Sequence, residues 1–166
     1  MDIKEAIEKL EKSRDFCEWK KSNEKAHLSY AMCMLEDSSK NQWKIGYYNI
    51  PNDKTTTFSI GQNINLENEE EVFKKEETVM RELRLEHLKL SLKEAIHLAD
   101  EFKKEKFPKE LPVKKIAIAQ HLDNAGEIWN ITYITKALNV LNMKINANTG
   151  KVVSSDIESV LSFRGD

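Results

Sequence analysis

The sequence contains little proline, glycine or cysteine, and each shortage excludes a class of protein. Among its 166 residues are 3 prolines and 5 glycines, so no low-complexity linker is present. The 2 cysteines, Cys17 and Cys33, lack CxxC spacing and nearby cysteine or histidine partners, which argues against a structural zinc site. We expect two half-buried thiols rather than a disulfide, because nothing in the sequence indicates an oxidising compartment.

An excess of basic residues and long apolar runs are also missing. Lys and Arg number 26 against 28 Asp and Glu, a formal net charge of −2. Because nucleic-acid binders depend on neutralising phosphates, this balance argues against a nucleic-acid partner. No apolar run approaches the roughly 20 residues of a transmembrane helix, and the N-terminal segment, charged from Asp2 onwards, has no apolar h-region of a signal peptide. We therefore expect a soluble, cytoplasmic protein that does not contact a membrane.

Patterns that would indicate catalysis or cofactor binding are absent from the sequence. The four histidines show neither HxxxH nor HxH spacing, and no glycine-rich nucleotide loop occurs. Cys33 has no adjacent base to activate it, so a buried core thiol is the expected role. We expect no catalytic residue, no metal site and no cofactor, and hence a protein that is not an enzyme.

An internal repeat marks two helices. The tetrapeptide Lys-Glu-Ala-Ile at residues 4–7 recurs at residues 93–96. Each Glu lies three residues after a good N-cap residue, Asp2 in the first copy and Ser91 in the second, which predicts two capping boxes. The apolar stripes of the two predicted helices are Ile3, Ile7, Leu10 and Cys17, and Leu92, Ala95, Ile96, Ala99 and Phe102.

A second repeat marks strands. The pattern D-x5-W-x-I-x-Y starts at Asp37 and again at Asp123, and it places Trp43 and Trp129 at matching positions. Large apolar residues alternate with polar or small ones in it, which is typical of a strand with one buried face. Each copy lies between further strand-like runs, of which the preceding ones are residues 28–35 and 116–122.

Together the repeats predict an α+β protein of two tandem units, each with a helix packed across a curved antiparallel sheet. The predicted first unit is 1–62 and the second is 91–166, separated by an acidic connecting segment at 63–90. This segment is predicted to be either a helix or an irregular crossover. The helix alternative would have an apolar stripe of Val72, Val79, Met80 and Leu83.

The second unit ends in a distinctive pattern. An alternating strand at 129–133 is followed by a strand at 143–147, a Thr-Gly-Lys turn at 149–151 and two valines. Gly150 in this turn is expected to have a positive φ. With these residues, 91–156 resembles the PepSY family, small domains of one helix and several antiparallel strands that are similar in shape to the cystatins. The resemblance implies a non-catalytic, protein-binding or inhibitory module, and the first half matches only through the repeat.

The leading functional hypothesis is a non-catalytic regulatory module that binds an unidentified protein or peptide through sheet faces or strand edges. Aromatic side chains often dominate interfaces, so Tyr48, Trp43 and Trp129 are the candidate contacts. For the two tryptophans, core packing is the alternative role. Tyr48 is expected on the opposite face of its strand from Tyr47.

Two other functions stay open. One is a small-ligand-binding protein or an enzyme with a site in the cleft between the two units, where His121, Glu127 or His97 would supply a titratable group. The other is a structural subunit of a homodimer.

Overall fold

The computed structural model of the protein describes residues 1–35, 42–71 and 80–163. In these ranges, three α-helices pack on an eight-stranded antiparallel sheet, an α+β architecture as predicted. The helices are α1 (Ile3–Glu11), α2 (Arg14–Lys21) and α3 (Leu92–Lys106). The strands are β1 (Ala26–Leu35), β2 (Gln42–Asn49), β3 (Lys54–Ile60), β4 (Ile64–Glu71), β5 (Pro112–Leu122), β6 (Gly126–Thr135), β7 (Asn139–Asn146) and β8 (Val152–Ser159). Short 3₁₀ turns lie at Ile50–Asn52, Leu85–His87 and Val160–Phe163.

Both predicted capping boxes are present. The Asp2 carboxylate accepts a hydrogen bond from the Glu5 backbone N–H, and the Glu5 carboxylate accepts one from the Asp2 N–H, each at 2.9 Å. Ser91 and Glu94 make the same exchange at the start of α3, at 3.2 and 2.7 Å. These bonds satisfy backbone donors that the helix itself leaves unpaired, so the local sequence fixes where both helices begin.

The first predicted helix is interrupted. Ser13 lies between α1 and α2, and its side chain caps α2 by accepting from the Phe16 backbone N–H at 3.2 Å. The break changes the direction of the chain, so that Phe16 is buried and Cys17 is exposed. The prediction that Cys17 continues the buried stripe of the first helix is therefore wrong. The expectation of two half-buried thiols is wrong too, since Cys33 is fully buried, as predicted for a core thiol.

The two units share one continuous sheet with the strand order β4-β3-β2-β1-β5-β6-β7-β8. Consecutive strands pair within each half, and β1 pairs with β5 in an antiparallel ladder from Tyr30 opposite Gln120 to Leu35 opposite Lys115. The units are thus joined edge to edge through their first strands. This ladder closes one edge of each unit and leaves β4 and β8 as the outermost strands.

The ladder between β1 and β5 lies on an approximate two-fold axis. Trp43 and Trp129 are 129 − 43 = 86 positions apart, and so are Met32 and Ile118. Met32 and Ile118 are therefore equivalent in the repeat, and they lie directly opposite each other in the ladder. Pairing of equivalent residues is what a two-fold axis perpendicular to the sheet requires.

Small side chains fill the core face beside this axis. Four fully buried residues occupy it, namely Ala31, Cys33, Ala117 and Ala119. Because these side chains are short, they leave space for Trp43 and Trp129, both fully buried, whose ring centroids are 6.5 Å apart. The equivalent tryptophans of the two units therefore meet in one shared core.

Each tryptophan also fixes the start of a helix. The indole N–H of Trp43 donates to the carbonyl oxygen of Met1 at 3.2 Å, and that of Trp129 donates to the carbonyl oxygen of Leu90 at 3.0 Å. Both acceptors lie one residue before a helix N-cap. The two tryptophans thus make the same kind of bond at matching positions of the predicted repeat.

A tyrosine in each unit also holds its helix, at the last residue of α1 and near the middle of α3. The Tyr47 hydroxyl donates to the Glu11 carboxylate at 2.9 Å, and the Tyr133 hydroxyl donates to the Asp100 carboxylate at 2.5 Å. Burial together with the neighbouring carboxylate raises the pKa of both phenols well above its usual range. Lys115 additionally pairs with Asp100 at 2.9 Å.

Part of the predicted connecting segment belongs to the sheet. Strand β4 pairs with β3, so the strands of the first half continue past residue 62. Residues 80–90 form a crossover with one 3₁₀ turn rather than a helix, and the Leu83 N–H donates to the Leu28 carbonyl oxygen at 2.8 Å. Of the residues predicted to mark the helix stripe and the strand repeat, Val72, Val79 and Asp37 lie outside the described residues. The division into domains stays a prediction.

Candidate functional site

The three aromatic residues predicted to contact a partner are buried. Trp43 and Trp129 are 0% exposed, and Tyr48 is 4% exposed. The Tyr48 hydroxyl donates to the Asp53 carboxylate, and its ring lies 5.6 Å from that of His27 in an edge-on arrangement. Since none of the three offers an exposed surface in the folded chain, their role as contacts stays a prediction.

A buried carboxylate lies where the connecting segment crosses the second unit. Glu127 on β6 is 6% exposed, and one of its oxygens accepts from the Arg84 backbone N–H at 3.3 Å and lies 3.0 Å from Nδ1 of His121. The other oxygen lies 3.2 Å from Nδ1 of His87. We call Glu127, His121 and His87 the Glu127 cluster.

The environment of Glu127 favours its charged form. Burial opposes ionisation, but hydrogen bonds involving His121, His87 and the Arg84 N–H outweigh it and lower the pKa of Glu127 below its ordinary value of 4.5. Because these partners come from β5 and from the connecting segment, the charge holds the crossover against the second unit. The cluster therefore has a structural role.

Two of the three residues predicted for a cleft site are in this cluster. His121 and Glu127 lie directly opposite each other in the β5–β6 hairpin, six positions apart in sequence. The residues between them include Asp-Asn-Ala-Gly at 123–126, which is typical turn sequence, so this contact could be predicted from the local sequence. His97 lies exposed on α3, away from the cluster, and His87 joins it through the crossover, for which the sequence carries no signal.

A cavity of about 390 Å³ lies beside the cluster. Its lining consists of His87, Lys89, Ala125, Gly126, Glu127, Asn146 and Asn148. Much of its polar surface is already hydrogen-bonded within the chain, since the Asn146 side-chain oxygen accepts from the backbone N–H groups of Asn148 and Thr149, each at 2.9 Å. Among the described residues, no group of three or more His, Cys, Asp or Glu side chains could hold a metal ion.

Strand β8 forms one outer edge of the sheet. It pairs with β7 on its inner side, and no strand among the described residues pairs with its outer side. Every residue of β8 except the half-buried Val152 is exposed. An edge of this kind presents backbone N–H and C=O groups in the spacing that another extended strand requires.

Helix α3 and the start of β8 line a shallow, open groove of about 470 Å³, which we call the α3–β8 groove. Its lining residues are Leu98, Glu101, Phe102, Lys104, Glu105, Gly150 and Val152. Gly150 has the predicted positive φ, 78°, and a Cβ atom there would lie 3.2 Å from the Leu98 side chain. Glycine therefore permits both the turn before β8 and its close approach to α3.

The opposite outer edge, β4, has a different chemistry. Its sequence ends in three consecutive glutamates, 69–71, and the Glu67 carboxylate pairs with Lys44 at 2.9 Å and also accepts from Ser59. Of the two outer edges, β8 lies beside the α3–β8 groove, which makes it the better candidate for a binding edge.

Comparisons with known proteins agree with this fold. Residues 89–156 match the family model of PepSY, the peptidase propeptide and YPEB domain. The second half of the chain is therefore similar to PepSY domains, as the sequence pattern predicted, and such domains are in general regulatory or propeptide-like modules without catalytic activity.

A solved structure has a similar fold along most of the chain. It was reported as that of a "putative lipoprotein" from Clostridium difficile 630, and it matches with a TM-score of 0.57 at 14% sequence identity. The match covers 87% of this chain and 90% of that one, so the likeness includes both units, and at this identity it shows the fold alone. A search of curated proteins finds no match. No helix in the described part of the chain is long and apolar enough to cross a bilayer.

Proposed function

We propose that this protein is a non-catalytic regulatory module that binds an extended segment of another protein by strand addition at β8. The observation that carries the proposal is the outer edge of β8, which is exposed along the strand and lies beside the α3–β8 groove. The general role of PepSY domains as regulatory or propeptide-like modules supports it, because the groove and the first part of the β8 edge lie within the matched residues 89–156.

The expected complex is of modest affinity. A backbone hydrogen bond adds only about 0.5–1.5 kcal/mol in net terms, and ordering a flexible segment costs about 2–5 kcal/mol. Pairing with the edge alone would therefore be weak. Side chains of the bound segment must contribute through the α3–β8 groove, and this requirement is how strand addition acquires specificity.

The proposal is tested by selecting binding peptides from a random library displayed on phage and mapping where they bind. Amide hydrogen exchange of the full chain should show new protection in β8, with β4 as the internal control. Two N-methylated versions of a binding peptide should differ, one methylated at its odd-numbered residues and one at its even-numbered residues. Only one of them should lose binding, because successive N–H groups point to opposite sides of a strand. Protection of amides outside β8, or binding by both methylated peptides, would refute strand addition.

A further inference from the structure

The charges on β8 are arranged on one face. Asp156 and Glu158 are two residues apart, so they project to the same side of the strand, where they lie opposite Asn142 and Val140 of β7. Both residues are exposed, and no salt bridge among the described residues involves either of them. The nearest basic residue along β7 on this face is Lys144, which lies opposite Ser154. The outer end of this face therefore carries two uncompensated negative charges.

The other face of β8 is apolar where it meets the helix. Val152 lies opposite the buried Ile145, and it lines the α3–β8 groove together with Leu98 and Phe102. Further along the strand, Ile157 is on the same face and is 38% exposed. Ser155 lies between Val152 and Ile157 on this face, so a strand added to this edge would meet apolar surface at two positions, beside the groove and at Ile157.

We propose that β8 selects extended segments that alternate apolar with basic residues, an inference that rests on the strand-addition function proposed above. The apolar side chains of the segment enter the α3–β8 groove and cover Ile157. The Lys or Arg side chains between them project to the opposite face and pair with Asp156 and Glu158.

Charge complementarity also decides against a second copy of this chain as the occupant. Antiparallel pairing of two β8 edges centred on Ile157 would bring Asp156 and Glu158 of one molecule next to the same residues of the other. Like charges in cross-strand neighbours oppose pairing, and this is a common protection of edge strands. The two carboxylates thus disfavour acidic strands, including β8 of a second copy, and favour basic ones. The edge therefore selects its partner by charge.

Three fluorescent octapeptides test the selectivity by polarisation at low salt: alternating Arg–Val, alternating Glu–Val and alternating Arg–Ser. Arg–Val should bind tightest. Glu–Val should bind about tenfold more weakly, since two surface ion pairs become two repulsions, and 0.5 M salt should reduce that difference. Arg–Ser should also bind more weakly, because serine gains nothing from the apolar groove.

Charge reversal supplies the second measurement. Asp156→Lys combined with Glu158→Lys should reverse the preference between the Arg–Val and Glu–Val peptides. Glu82→Lys combined with Glu86→Lys is the matched control, because it makes the same change in net charge at two exposed residues of the crossover and should leave the preference intact.

The outcomes separate this inference from the function on which it rests. Equal binding of the Arg–Val and Glu–Val peptides, or equal effects of the two double variants, would overturn the charge selectivity. If library-selected peptides still protected β8 amides, strand addition would stand without it. If no peptide protected β8, strand addition itself would fail. Concentration-dependent self-association through β8, seen by light scattering, would instead identify a second copy as the occupant and overturn the inference.

Discussion

Replacing Glu127 by alanine should loosen the crossover from the second unit. Its carboxylate accepts from the Arg84 backbone N–H and contacts His121 and His87, all from outside its own strand. A hydrogen bond to a charged group contributes about 1.5–3 kcal/mol. The His87 side chain is 49% exposed, so water can replace its bond to Glu127. Counting the other two bonds at the lower end of that range gives an expected loss of about 3 kcal/mol of unfolding free energy.

The variant Glu127→Gln keeps the size of the side chain and removes its negative charge, so it measures what the charge contributes to stability. It keeps one carbonyl oxygen for Arg84 and His121, so the expected loss is only about 1 kcal/mol at neutral pH. In the wild-type protein the folded-state pKa of Glu127 lies below the ordinary 4.5, so the folded state binds fewer protons than the unfolded state in that range. The stability that ionised Glu127 contributes is therefore present above the unfolded pKa and is lost as pH falls through the folded pKa. The difference in unfolding free energy between wild type and Glu127→Gln should therefore shrink as the pH falls.

Urea unfolding followed by tryptophan fluorescence measures both effects. With an m-value of about 2 kcal/mol/M, a loss of about 3 kcal/mol lowers the urea midpoint by about 1.5 M. Glu86→Ala, which removes an exposed acid from the same crossover, is the control and should change stability by less than about 0.5 kcal/mol. A Glu127→Ala midpoint equal to that of the control, or a wild-type advantage over Glu127→Gln that grows at acidic pH, would refute the reasoning.

Two further predictions concern the core. Only Cys17 should react with Ellman's reagent in the native protein, because Cys33 is fully buried and burial raises the pKa of its thiol to about 11. The second thiol should appear on unfolding, and two fast equivalents in the native state would contradict this. Gly46→Ala should cost about 1–3 kcal/mol in urea unfolding, because the new Cβ atom would lie 2.1 Å from the Tyr30 ring. In a Tyr30→Ala background that cost should fall markedly, and an equal cost in both backgrounds would exclude the ring as its cause.

The elements with local signals could be predicted from the sequence. The capping boxes at Asp2 and Ser91 fix helix starts within four residues of chain, and the alternation around Trp43 and Trp129 identifies strands without reference to the rest of the fold. The joint between β1 and β5 had no such signal. Either edge of a unit can pair with another strand, and which edges pair is decided by the tertiary structure.

The candidate site was less predictable for the same reason. Alternation places Tyr48 on the opposite face from Tyr47, but its burial depends on contacts with His27 and Asp53, which alternation does not describe. Strand β8 continues to Ser159 by pairing with β7. Hydrogen bonds to β7 therefore hold β8 in a strand conformation, although polar residues outnumber apolar ones in its sequence.

The two-fold joint between β1 and β5 has a consequence for how the protein responds to dilution. If the two units were separate molecules, their pairing would depend on concentration and would be lost in dilute solution. Because both lie in one chain, each experiences the other at a fixed effective concentration, whatever the amount of protein. The strands at the centre of the sheet can therefore stay symmetric while the outer strands, β4 and β8, differ in sequence. One end has become the acidic β4, and the other the serine-containing β8.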